Sequence, residues 1–110
     1  MLISSTVKMP TYLTIKLSGN LDLAGVEQIE MEFVNLIDNS CHIIVDLAEV
    51  DFIASMGIRM LLSAAKKLHP KELKLVLAAP NEMVKEALQI TNIGAIMPCF
   101  DSLAEAEAAL

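Results

Sequence analysis

The sequence predicts a single α/β domain whose order is ββαβαβαβα, a mixed and mostly parallel sheet with four helices. Three observations carry this. After two opening strands, helix-like and strand-like apolar periodicities alternate along the chain, which implies parallel strands joined by right-handed crossovers. A later segment, His42–Leu47, is a continuous apolar run, as expected of a central strand covered on both faces, and Leu73–Ala79 reads as another buried strand. No repeat or low-complexity linker divides the 110 residues, so one domain spans 1–110.

Each element has its own signal. Leu2–Lys8 reads as a weak first strand, and the turn around Pro10 leads into "YLTIKLS", Tyr12–Ser18. There Leu13, Ile15 and Leu17 point one way and Tyr12, Thr14 and Lys16 the other, so one face is deeply buried and the pair forms an edge hairpin. Val26, Ile29, Phe33, Leu36 and Ile37 then recur at helical spacing, with Glu27, Glu30 and Glu32 largely off the stripe and near the favourable end of the helix dipole. The His42–Leu47 strand follows. The second helix has Ile58, Leu61, Leu62, Ala65 and Leu68 as its core stripe, lysines in its last turn and Pro70 as its stop. Leu73–Ala79 is the next buried strand. Pro80-Asn81 opens a third helix with Val84, Ala87 and Leu88 inward, ending near Asn92 and Gly94. A short strand at Ala95–Cys99 precedes Ser102-Leu103-Ala104-Glu105, a capping box that starts the last helix.

Composition excludes several function classes. Apolar residues make up 55% of the chain, and the aromatics are three Phe and one Tyr, so the core is aliphatic and methionine-rich. A net charge of −6 argues against nucleic acid or an anionic membrane as a partner, since both need a basic face. "MLISSTVKMP" lacks the pattern of a signal peptide, and no apolar run approaches the roughly 20 residues that span a bilayer. Cys41 and Cys99 have no metal-type spacing and read as reduced core thiols. A cytoplasmic protein without metal or cofactor is expected.

One junction invites chemistry. In "VDFIASMGIRML", Val50–Leu61, a strand-like run turns into a helix at Ala54-Ser55-Met56-Gly57. A nucleophilic serine would need a base beside it. His69 lies roughly 21 Å along the helix at 1.5 Å per residue, and His42 opens the strand at the opposite sheet edge, so a hydrolase is a poor fit. A phosphoacceptor aspartate of the receiver type is equally poor. Asp46 sits near the end of a central strand, but no acidic pair follows the early strands to hold Mg²⁺. No glycine-rich phosphate loop supports nucleotide binding. Two readings of Ser55 remain. Its oxygen could cap the helix, the simpler account by local physics. Alternatively, it is an exposed hydroxyl at a helix N-terminus, where a phosphate is well accommodated. Gly57 would then leave room for another protein's backbone, and Glu49 and Asp51 would deepen the negative charge after phosphorylation. Asp22 reads as the cap of the first helix, and Asp46 as serving a strand-loop turn. Met56, Arg59, Met60 and Ser63 fall off the core stripe and could form an adaptable protein-binding face, or Met56 and Met60 could only fill gaps at the helix margin.

These segments resemble the STAS domain of bacterial anti-sigma factor antagonists over nearly the whole chain. "LSGNLDLAGVEQIE" is similar to the family's L-x-G-x-L-D and first helix, and "IIVDLAEVDFIASMGIRMLLSAAKKL" to its signature strand-loop-helix. The stretch from "LVLAAPNEMV" to "AEAEAAL" resembles its closing elements. The resemblance implies a non-enzymatic, protein-binding regulator of sigma-factor-dependent transcription. It implies an anti-sigma factor with serine kinase activity as partner, a serine phosphatase that resets the switch, Ser55 as phosphoacceptor and Asp22 beside it on the binding surface. Where the commonest family run is Asp-Ser-Ser/Thr-Gly, this chain has Ala54-Ser55-Met56-Gly57. A non-phosphorylated STAS scaffold or subunit of a signalling or transport complex is the alternative.

Overall fold

The computed structural model describes residues 1–38 and 41–110. Strands β1 (Leu2–Lys8) and β2 (Tyr12–Leu21) pair antiparallel at one edge of a five-stranded sheet. Strands β3 (His42–Ile53), β4 (Leu75–Ala78) and β5 (Cys99–Phe100) follow in sequence order, each parallel to its predecessor. Helices α1 (Leu23–Ile37), α2 (Ser55–Leu68), α3 (Glu82–Ile90) and α4 (Leu103–Ala108) complete the predicted order, and a short 3-10 turn, His69–Lys71, extends α2.

The two faces of the sheet are covered unequally, which explains the different strand patterns. The main core joins Leu13, Ile15 and Leu17 of β2 with Ile43, Val45 and Leu47 of β3 under Phe33 of α1, Leu61 of α2 and Val84 of α3. A smaller cluster on the other face packs Ile44, Val76 and Ala78 against Ala106 of α4. Helix α4 thus covers β3 and β4, which read as continuous apolar runs. It leaves Lys16 and Ser18 of β2 half-buried, so that strand alternates. Each fully buried Leu or Ile is worth roughly 1.5–3 kcal/mol of transfer free energy, so the main cluster dominates stability.

Strand β3 continues six residues beyond the expected end at Leu47. The reason is two bulges, where the partners of Lys16 and Ser18 are Asp46 and Glu49, and those of Gly19 and Asn20 are Val50 and Phe52. Each bulge adds one unpaired residue, so the inward positions run Leu47, Val50, Ile53 and the period of two is lost. Asp46 is therefore inside the strand rather than at a turn. It is 8% exposed, and its Oδ1 accepts from the Ala48 N–H at 3.0 Å, which steadies the first bulge.

Three further expectations change. Strand β5 is shorter and later than Ala95–Cys99, because the Ile96 and Met97 N–H groups both donate to the Ile93 carbonyl (2.9 and 2.8 Å) and make turns. Cys99 is exposed, whereas Cys41 is buried as expected. Of the α2 stripe, Leu61, Ala65 and Leu68 are buried, but Ile58 and Leu62 are only half-buried, their inward places taken by Gly57, Met60 and Ala64.

Glu49, on the bulged segment, accepts from the Ser18 hydroxyl at 2.6 Å and pairs with Lys16 Nζ at 3.3 Å. The Ser18 hydrogen bond first, and Lys16 second, hold its carboxyl below the usual range. A carboxylate depressed in the folded state stabilises above its unfolded pKa, and that contribution is lost as pH falls through the folded value. Glu49→Gln is expected to lower the Tm slightly at about pH 7, with the difference shrinking as pH falls below the usual carboxylate range and lost once it passes the lowered folded value. Thermal melts across that range check it, and a pH-independent difference would contradict the linkage.

Candidate functional site

Helix α2 begins directly where β3 ends. Ala54 is its N-cap, in extended conformation (φ −118°, ψ 176°), and brings no side-chain oxygen to the first turn. Its N–H donates to the Leu21 carbonyl at 3.0 Å, and its own carbonyl accepts from the Ile58 N–H at 3.1 Å. Ser55 is therefore the first residue inside the helix, one position past the cap, and the cap reading of Ser55 is overturned. The residue is exposed.

The other three helices are capped by side chains. Asp22 accepts from the Gly25 N–H at 2.8 Å, Asn81 from the Val84 N–H at 2.8 Å and Ser102 from the Glu105 N–H at 3.1 Å. The expected box at Ser102 lacks its reciprocal arm, since Glu105 Oε2 accepts from the Asp101 N–H at 3.2 Å rather than from that of Ser102. At α2 no side chain caps the first turn, so its N–H groups face outward with the positive end of the helix dipole.

Gly57 is buried, not open to a partner. A Cβ there would run into the Leu21 carbonyl oxygen and lie 2.6 Å from Leu21 Cγ. The space it leaves is filled by the end of β2. That close approach sets the position of Asp22 as well. Leu21 pairs with Ile53 across the sheet, so Asp22 and Ala54 leave its carboxyl edge side by side. Asp22 caps α1, as expected, and is half-buried.

The four remaining predicted residues meet in one groove of about 120 Å³ between α1 and α2, where Met56, Arg59, Met60 and Ser63 face Phe33 and Val34. Arg59 and Ser63 are exposed and Met56 is half-buried. Met60 is 6% exposed and belongs to the core, so it forms the floor rather than part of an exposed face. Glu49 does not reach Ser55, because Lys16 and Ser18 hold it further back along β3. His42 lies at the start of β3, its Nδ1 accepting from the Lys74 N–H at 2.9 Å, and His69 lies beyond the far end of α2. Among the described residues no group of three or more His, Cys, Asp or Glu is placed to hold a metal ion. Among the described residues no helix is long and apolar enough to cross a membrane.

Sequence reasoning missed two features of this edge. Besides capping α3, Asn81 donates through Nδ2 to the Val50 and Asp51 carbonyls (3.2 and 3.3 Å), pinning the second bulge. Its place before a helix signals the cap, but not the reach across to β3. Leu23, Phe52 and Met83 are 54%, 43% and 60% exposed at the starts of α1 and α3 and the end of β3. Large apolar residues off the core stripe beside a cap were the available signal.

The sequence pattern of the STAS domain matches residues 4–106. The chain belongs to the STAS domain family. BtrV of Bordetella bronchiseptica, which carries the name of an anti-sigma factor antagonist, is 33% identical over 94 residues, covering 84% of this STAS domain and 81% of BtrV. The anti-sigma factor antagonist SpoIIAA, solved unphosphorylated, superposes with a TM-score of 0.76 at 24% identity, covering 93% of this chain and 90% of that one. The phosphorylated form of the Bacillus cell fate determinant SpoIIAA gives 0.67 at 24% identity, covering 96% and 98%. At that identity the likeness to SpoIIAA is one of fold.

The packing at Gly57 is directly testable. Gly57→Ala is expected to destabilise by about 1–3 kcal/mol despite the better helix propensity of alanine, because the methyl group overpacks the Leu21 carbonyl. Gly94→Ala, where an added Cβ meets nothing within 4 Å, should stay within about 0.5 kcal/mol. Denaturant titrations compare the two, and equal stabilities would contradict the packing.

Proposed function

We propose that this STAS domain is a cytoplasmic anti-sigma factor antagonist, switched by phosphorylation of Ser55. The observation that carries it is an exposed serine at the first position of a helix whose N-terminal N–H groups no side chain caps. The names of its relatives and the two phosphorylation forms in which SpoIIAA is known support the same reading. In this mechanism an anti-sigma factor with serine kinase activity docks on the carboxyl edge of the sheet. Its contacts are Asp22, Ser55 and the Met56, Arg59 and Ser63 side of α2, with Met60 beneath them. The methionine thioethers adapt to an apolar partner surface.

Transfer of the γ-phosphoryl group from ATP to the Ser55 oxygen adds about −1.5 to −2 charges and three acceptor oxygens. The open helix end accommodates that charge within this chain. Asp22 and Asp51 nearby make the edge strongly acidic, and a partner packed there meets repulsion and a desolvation cost. The antagonist is released, and a serine phosphatase returns it to the binding form. The chain acts as substrate and binding module rather than as catalyst. A second reading, a STAS scaffold that is never phosphorylated, is favoured by Ala54 and Met56, which flank Ser55 where the commonest family run has an acid and a hydroxyl.

Incubation with the cognate anti-sigma factor kinase and ATP, followed by peptide mass spectrometry, should place phosphate on Ser55. Calorimetry should find Ser55→Ala binding the kinase as wild type does, and Ser55→Asp binding at least about tenfold more weakly, as expected for a like charge at an interface. No phosphate together with equal binding by Ser55→Asp would leave the scaffold.

A further inference from the structure

At the opposite pole of the sheet, β4 is paired with β3 from Leu75 onward but with β5 only at Leu77 and Ala78. The Ile43 N–H donates to the Lys74 carbonyl at 2.8 Å. In a parallel ladder successive residues present their backbone groups to alternate sides, so Leu75 turns its N–H and C=O away from β3. Leu77 does the same and is satisfied, its N–H donating to the Pro98 carbonyl at 2.9 Å. For Leu75 the corresponding donor would be the N–H of Pro98, which proline lacks. Its acceptor would be the Ile96 carbonyl, but residues 95–97 have left the ladder to turn on Ile93. Among the described residues no backbone group pairs with the Leu75 N–H. A sheet edge is thus open at one residue.

That edge lies in a groove of about 570 Å³, within the usual size of ligand-binding clefts. Leu73, Val76, Ile96 and Phe100 are among its apolar walls, and Lys66 and Lys74 charge its rim beside His69. No acidic side chain lines it among the described residues. Ile96 is 53% exposed. In a chain of net charge −6, four of the eight Lys and Arg fall between Lys66 and Lys74, with Glu72 as the only acid of that stretch.

We propose that this groove is a second docking site, which takes a short, acidic, extended peptide segment of a partner protein by strand addition to β4. The peptide donates a main-chain N–H to the Leu75 carbonyl and accepts from the Leu75 N–H, restoring the pairing that Pro98 forbids. Its apolar side chains rest on Ile96 and Phe100, and its carboxylates face Lys66 and Lys74. Charge selects the occupant. A second copy would have to offer an acidic strand, and its exposed edge strand β1, "LISSTVK", has a lysine and no acid. The groove lies towards the far end of α2 from Ser55, so occupancy there leaves the carboxyl edge free for another partner.

The test uses ¹⁵N-labelled full chain and two blocked peptides, acetyl-Val-Glu-Val-Glu-Val-amide and its counterpart with Lys for Glu. In the free protein the Leu75 amide should exchange with solvent much faster than Val76 or Leu77. The Glu peptide should shift the Leu75, Lys74 and Ile96 amides and slow exchange at Leu75 by about tenfold near saturation, the mass-action effect of ligand on opening. The exposed double variant Lys66→Glu/Lys74→Glu, its remaining spectrum unchanged, should bind at least about tenfold more weakly, and the Lys peptide should not bind. Four results would overturn the proposal: a Leu75 amide already as protected as Leu77, equal shifts from both peptides, shifts confined to the Ser55 edge, or Leu75 shifts that follow protein concentration without peptide.

Discussion

The Leu21 carbonyl is the joint on which the carboxyl edge of this domain depends. It ends β2, accepts from the Ala54 N–H at 3.0 Å, and lies against the Cα of Gly57. A buried backbone acceptor has to be paired, and here the partner comes from the first residue after β3. One hydrogen bond is worth only about 1 kcal/mol net, so geometry matters more than its energy. It locks the exit of β2 and the entry of α2 at one separation, and only a residue without Cβ fits the first turn of α2 at that distance. Asp22 follows from the same joint, because α1 starts one residue later. Asn81 brings in α3, through its two hydrogen bonds to the bulged end of β3. Three helix starts are thereby held around Ser55, whose side chain is exposed.

This arrangement separates rigidity from chemistry. The backbone under Ser55 is fixed by residues of β2, β3 and α3, while its side chain is exposed and the helix end it occupies is uncapped. A charge placed there changes what the surface attracts and leaves the packing beneath it in place. The Met56–Met60 groove adjoins the same end, with its floor in the core and its rim in solvent, so a partner bound there would sense both the apolar groove and the charge at Ser55. The second groove, beside Leu75, belongs to the other end of the strands and shares none of these residues.

Much of the fold was legible because burial follows period. The alternation of Leu13, Ile15 and Leu17 and the unbroken runs of β3 and β4 correspond to one covered face and to two. Reading failed where a tertiary constraint replaced a local one. Strand β3 looked finished at Leu47 because two bulges reset its period. Ser55 looked like a cap because serine is a good one, but the Leu21 joint makes Ala54 the cap and moves Ser55 one position inward. Gly57 looked like an opening to a partner, and its missing Cβ is used inside the molecule. Met60, off the expected stripe by spacing, is drawn into the core by the close packing of α2 against α1. The reach of Asn81 and the unpaired edge at Leu75 depend on register, which no single segment reveals.

Amide hydrogen exchange on the phosphorylated and unphosphorylated protein tests the central claim that phosphate at Ser55 alters charge over an intact joint. The Met56 and Gly57 amides should exchange more slowly after phosphorylation, as the phosphate caps the open turn, with the Ala54 and Ile58 amides unchanged. Faster exchange at Ala54 and Ile58 would show that the Leu21 joint melts and that the switch works by unfolding the start of α2.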